Sequence, residues 1–212
     1  MYITFTLVFL LSLSLSYIIR KYVRGNIFFR IMRIFLMPVP YLLIFLFIPF
    51  PLIDFNIDIL YLIVVIFLSL AFILLDYKNL LNSNKRALFD FMPKMKGEQL
   101  ISRFSEVSIV PIIEELFFRG FISLGASYPQ LILSVIISSF LFSVAHYIGN
   151  DKSIKYHVKL CLFSITSVVI YLVSENLLYS IIFHILFNLP WFITNVRIYS
   201  YQKRKGEGRV AI

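Results

Sequence analysis

Charge is scarce in this 212-residue chain. Asp, Glu, Lys and Arg make up 15% of it, against 60% hydrophobic residues, and mean hydropathy is +0.89. A soluble domain is about a quarter charged. A water-soluble globule of this size could not bury so much apolar surface, and the same excess excludes a disordered chain. Cys161 is the single cysteine, which excludes an internal disulfide framework. No Lys or Arg precedes Arg20, so the first apolar run lacks the positive n-region of a signal peptide. The basic stretch Arg20-Lys21-Tyr22-Val23-Arg24 follows it in place of a small-residue cleavage site, and the run reads as an uncleaved first span. Low-complexity segments and internal repeats are missing too. What remains is one integral membrane domain. Its net charge of +9 fits loops facing anionic headgroups, with no nucleic-acid partner.

A bilayer core of about 30 Å takes roughly 20 apolar residues as helix. Seven stretches qualify or come close: 2–19, 34–53, 57–75, 109–127, 129–147, 158–173 and 177–196. Five basic residues lie between spans one and two, six between three and four, three between five and six, and five after span seven. The other connections carry none; Asp54 and Asp58 sit in one of them. Nineteen of twenty basic residues thus fall in alternate loops, and the last, Arg119, lies inside span four. The expected fold is all-α, a polytopic membrane helical bundle of about seven transmembrane helices, with the N-terminus outside and the C-terminus cytoplasmic. Residues 76–106 are expected to be a connecting loop, with an amphipathic stretch around Leu88–Met95. The tail Gln202–Arg209 is expected to be disordered at the headgroups. The division is residues 1–104, a three-span region with its loop; 105–196, a catalytic helical core; and 197–212, a basic cytoplasmic tail.

Span four carries Glu114-Glu115-Leu116-Phe117-Phe118-Arg119-Gly120. Each charge at a helix centre costs about 2.5–3.5 kcal/mol on insertion, and such residues mark functional sites by default. Glu115 and Arg119 are four apart and share a helix face. Glu114 points about 100° away and has no local partner. A packing salt bridge accounts for Glu115 and Arg119 and leaves Glu114 unexplained. Two of the three histidines also fall inside spans. His146 ends span five; His184 and Asn188, four apart, share a face of span seven. Ser139, Ser143 and His146 form a small-residue face that lets a neighbouring helix approach. A carboxylate beside an imidazole can take a proton from water. A second imidazole and a carboxamide can donate to an oxyanion. The set also offers ligands for a divalent metal such as zinc, which Glu114, His146 and His184 would hold if it were present. Spacing does not choose between these chemistries, and the motif HExxH is absent.

Pro111, as a helix start, would put Glu114 near a positively polarised N-terminus. Pro190 frees the carbonyl of Leu186, close to Asn188. One mismatch stands out. His146 is near the cytoplasmic end of its span and His184 nearer the outer end of its own. The site closes only if span seven starts earlier, tilts, or bends at Pro190.

Glu-Glu-x-x-x-Arg, Phe-x-x-x-His and His-x-x-x-Asn on successive hydrophobic helices resemble the CPBP group. These are the type II CAAX prenyl proteases and their bacterial relatives, the bacteriocin-processing or Abi membrane proteins. Glu114 to Gly120 match the first motif, Phe142 and His146 the second, His184 and Asn188 the third, over residues 105–195. The resemblance implies an intramembrane endopeptidase with a cavity reached from the cytoplasm. Glu114 and His146 would activate water, His184 and Asn188 would form an oxyanion hole, and Glu115 and Arg119 would order the site. Metallo- and metal-independent glutamate chemistry both stay open, with the balance towards no structural metal. Composition rich in Lys, Ile, Phe and Asn fits an AT-rich bacterium, whose cell membrane is the expected location. A membrane-associated peptide or protein is the expected substrate, in a bacteriocin or peptide-pheromone system.

The competing class is a non-catalytic self-immunity or membrane binding protein. Such a protein has no need of Glu114, His146, His184 and Asn188 together. A transporter would be supported by inverted repeats, which are not seen. A Gly-x-Ser-x-Gly elbow is missing. Cys161 has no nearby base and reads as packing. His157 reads as a solvated residue at a loop edge, and Trp191 as an interfacial anchor.

Overall fold

A computed structural model describes residues 2–23, 27–147 and 153–207. Nine α-helices occur among them: α1 (Tyr2–Tyr22), α2 (Ile27–Leu36), α3 (Ile59–Leu75), α4 (Tyr77–Ser83), α5 (Gly97–Val107), α6 (Ile109–Gly120), α7 (Tyr128–Tyr147), α8 (Ile154–Ser174) and α9 (Leu177–Gly206). There is no strand among the described residues. The long helices are apolar on both sides. α1 buries Phe5, Val8 and Phe9 yet exposes Ile3, Leu7 and Leu10; α7 exposes Ile132, Ile136 and Phe140. A helix apolar all round belongs in lipid.

Five described helical stretches are long and apolar enough to cross a membrane: Tyr2–Tyr22, Ile27–Leu46, Tyr128–His146, Ile154–Ser174 and Leu177–Gly206. α3 joined to α4 makes a sixth, bent by 70°. The difference from the expected seven has local causes. Pro38 and Pro40 turn the second span into a 3₁₀ segment, Val39–Leu46, so it runs earlier than expected. α3 stops at Asp76, where Lys159 of α8 pairs with the carboxylate and α4 turns away. The expected fourth span is only α6. Its 12 residues reach about 18 Å, well short of the hydrocarbon thickness. Its last residue, Gly120, is closely packed: a Cβ there would lie 3.1 Å from the Pro51 ring.

Two further expectations change. The 76–106 stretch is not a plain connector, because α4 and α5 form in it. Leu88–Met95 itself is mostly irregular. Gln202 is not in a disordered tail; α9 continues through it to Gly206. The Gln202 amide donates to the carbonyls of Phe89, Met92 and Pro93, and Lys205 pairs with Asp90 at 2.7 Å. That ammonium holds the Asp90 carboxyl below the usual carboxylate range. Residues 208–212, which include Arg209, lie outside the described residues.

α9 is the spine. It packs against α3, α5, α6 and α8. Serines lace the helices together: Ser12 donates to the Pro40 carbonyl, Ser138 to Phe118 and Ser180 to Ser167, at 2.6–2.9 Å. Small residues at these contacts let backbones approach. The core between them is phenylalanine. Phe5 stacks on Phe117 and Phe121, and Phe163 on Phe183.

Asn176 fixes the start of α9. Its side-chain oxygen accepts from Leu178 N at 3.0 Å and from Asp54 N at 3.1 Å, and its amide donates to the Asp54 carbonyl at 2.7 Å. It thus caps α9 and ties it to the stretch before α3. Glu175, at φ 52°, makes the tight turn from α8. Asn176→Ala removes the cap and strands two backbone groups. It is expected to cost about 2–3 kcal/mol, checked as a shifted unfolding midpoint in detergent, with Glu175→Ala, which keeps every Asn176 bond, as the comparison.

Candidate active site

The site forms where α6, α7, α8 and α9 meet. Glu115 and Arg119 share one face of α6, and both side chains are fully buried. Arg119 Nε lies 2.9 Å from Glu115 Oε2. Ser167 of α8 donates to the same oxygen at 2.7 Å. His184 of α9 holds Oε1 through Nδ1 at 2.8 Å. One carboxylate therefore has partners on three helices. Desolvating it would cost several kcal/mol without them. The guanidinium lies over Phe142 at 5.0 Å and Phe118 at 5.9 Å, where aromatic faces stabilise a buried cation.

Glu114 points elsewhere, as one step round a helix requires. Its side chain keeps 14% exposure, and Oε2 lies 3.8 Å from His184 Nε2. It lines a cavity of about 330 Å³ together with Tyr41, Ser102, Glu106 and Ala145. Leu13, Ile34, Met37 and Val110 give that cavity apolar walls, and Arg20 lies at its edge. α6 begins at Ile109, two residues before Pro111. Glu114 is thus in the second turn, beyond the strongest reach of the helix dipole.

The histidine tautomers follow from their partners. A carbonyl only accepts, so His146 Nδ1, 2.9 Å from the Phe142 carbonyl, carries a proton. That leaves Nε2 as an acceptor in the neutral ring. His184 Nδ1 likewise donates to Glu115, which leaves Nε2 for anything between it and Glu114. Asn188, one turn on, spends one amide hydrogen on the Glu106 carbonyl at 3.2 Å and keeps the other.

Residues 97–190 match the family model described as type II CAAX prenyl endopeptidase Rce1-like. That segment is similar to an Rce1-like domain, which is consistent with the CPBP family. Helices α1–α4 lie outside the match. No curated protein and no solved structure matches the chain.

The matched segment brings Glu114, Glu115, Arg119 and His184 into one cluster, with Asn188 a turn away. His146 joins differently. Among the described residues no hydrogen bond links it to Glu114; its ring lies 4.7 Å from Phe142, which also touches His184 at 5.8 Å. Phe142 thereby lies against both histidines. α9 starts at Leu177 as expected and runs through Pro190 without a break. Ser167 was missed. Its only signal is the serine pair Ser164 and Ser167 on one face of span six. His157 is buried in α8 and not solvated at a loop edge. Among the described residues no group of three His, Cys, Asp or Glu side chains stands close enough to hold a metal ion. Glu114, His146 and His184 therefore do not fit a zinc ion in this arrangement.

Breaking a buried pair from one side strands the other charge, at about 3–5 kcal/mol. Glu115→Gln is expected to destabilise the domain by that order, and Glu115→Gln with Arg119→Met by less than the sum of the two single changes. A double-mutant cycle on SDS-induced unfolding checks this; additive losses would mean that the two side chains do not act as a pair.

Proposed function

We propose that the chain is an intramembrane endopeptidase that hydrolyses a peptide bond of a membrane-associated peptide or protein. The observation that carries this is the division of labour between adjacent glutamates. Glu115 is sealed and fully paired, while Glu114 faces a cavity with an imidazole behind it. A purely structural salt bridge needs no second carboxylate facing a cavity.

Glu114 takes the proton of a water whose oxygen attacks the scissile carbonyl carbon. His146 orients that water by accepting at Nε2. The oxyanion that forms receives hydrogen bonds from the free Asn188 N–H and from Nε2–H of a doubly protonated His184 ring, whose Nδ1–H stays on the Glu115 carboxylate. As the C–N bond breaks, Glu114 returns its proton to the leaving amine. Glu115, Arg119 and Ser167 are positioning residues, because Glu115 holds His184 while Arg119 and Ser167 hold Glu115. The apolar cavity walls suit an extended segment drawn from the bilayer. A bacterial cell membrane, with the C-terminus cytoplasmic by the alternation of basic loops, is the proposed setting.

Purified wild-type protein, reconstituted with a pool of membrane-anchored peptides, is expected to release fragments detectable by mass spectrometry. Glu114→Gln and His146→Ala are each expected to lower the rate by about 10²–10⁴-fold with unfolding midpoints unchanged. Full activity in either variant would overturn the assignment. If both variants retained the cellular phenotype, a non-catalytic immunity role would replace it.

A further inference from the structure

Away from the catalytic cavity, α9 presents its other side to a second recess. It is a groove of about 350 Å³ between α3, α4 and α9. Ile66 and Leu70 of α3 and Leu186, Leu189 and Ile193 of α9 make its walls. Its far end is polar. There Asn84 donates to Thr194 Oγ1 at 2.8 Å, and Arg197 donates to Asn84 Oδ1 at 3.2 Å. Arg197 also lines a separate hollow of about 360 Å³, with Arg86, Ser200, Tyr201 and Arg204. The two recesses therefore meet at one guanidinium. One is apolar and the other carries three arginines.

The charge at the basic end is only partly offset by the protein, through Asp90 near Arg86. Among the described residues, Arg86, Arg197 and Arg204 form no ion pair with a carboxylate. Arg86 lies over the Tyr201 ring at 5.4 Å. Asp90 has its oxygens on Lys205 and Tyr201. From Leu186 to Arg197 the helix rises about 16 Å, which is the hydrocarbon depth of one leaflet. The 70° bend between α3 and α4 sets Asn84 across the polar end of the groove and keeps its length open. Ile66, Leu70, Leu189 and Ile193 remain 37–53% exposed along it.

We infer that this paired recess is a binding site for one anionic phospholipid. Its phosphate lies among Arg197, Arg204 and Arg86, and an acyl chain lies along Ile66, Leu70, Leu189 and Ile193. Guanidinium groups match phosphate oxygens with two-pronged hydrogen bonds. A zwitterionic headgroup finds no free carboxylate here for its cation. The inference is independent of the hydrolase assignment, since none of these residues lies in that cavity.

The test is native mass spectrometry of the full chain, purified in detergent and supplied with phosphatidylglycerol, phosphatidylcholine or inorganic phosphate. Wild type is expected to keep one phosphatidylglycerol under activation that strips phosphatidylcholine. Arg197→Gln should weaken retention about tenfold, the worth of one charge-assisted contact, and Arg197→Gln with Arg204→Gln more. Ile193→Trp, which fills the apolar groove, should weaken it with all three arginines in place. Lys94→Gln and Lys155→Gln remove charge elsewhere and should leave it unchanged. Unfolding midpoints report whether each variant is folded; if Arg197→Gln unfolds, Arg204→Gln and Ile193→Trp carry the comparison. Equal retention of phosphatidylcholine, equal loss in the Lys variants, or full displacement by inorganic phosphate would overturn the proposal.

Discussion

The buried carboxylate of Glu115 is the constraint around which the domain is arranged. It stands in an apolar interior where an unpaired charge is not tolerated, and its partners come from three helices: Arg119 on α6, Ser167 on α8 and His184 on α9. Ser167 and His184 fix α8 and α9 in rotation against α6, since turning either helix by one residue removes its donor. The same bond sets the His184 tautomer. Packing and chemistry thus share one atom pair, and the phenylalanines around it complete the enclosure. They shield the guanidinium with their faces and leave Glu114, one residue away, as the carboxylate open to the cavity.

Much of this was legible in the sequence, for a physical reason. In a membrane, charge is costly enough that nearly every intramembrane ionisable residue has a purpose. Glu114, Glu115, Arg119, His184 and Asn188 could be picked out on that basis, and the 100° step between adjacent helical residues already separated the roles of the two glutamates. The Rce1-like match covers the same stretch. What the sequence concealed depended on shape. Hydropathy cannot tell a crossing helix from a short one followed by an apolar turn, so α6 passed for a full span. It cannot see a corner either: Asp76 meets a lysine 83 residues away, and α3 turns into α4 there. Ser167 was hidden because serine is ordinary in such helices and its importance lies wholly in its partner.

α9 has three duties along one rod. Its first turn is tied by Asn176 to the stretch before α3, its middle holds His184 against Glu115, and its last turns are tethered by Gln202 and Lys205 to the Phe89–Pro93 segment. Pro190 lies between the middle and the end. A proline leaves the carbonyl four residues earlier without its donor, and that carbonyl belongs to Leu186, between His184 and Asn188. The helix is thus least stiff beside the residues whose spacing the chemistry needs.

The 3₁₀ segment Val39–Leu46 has a consequence of its own. It supplies part of the cavity wall through Tyr41, which also packs on Phe117. A 3₁₀ turn has poorer hydrogen-bond geometry than an α-turn and rises faster, at about 2.0 Å per residue. Conversion between the two changes the length of the segment while keeping its side chains apolar to the bilayer. Residues 39–46 therefore cover more of the cavity wall than the same number of α-helical residues would, and their buried Tyr41 and Ile44 lock that length to the core.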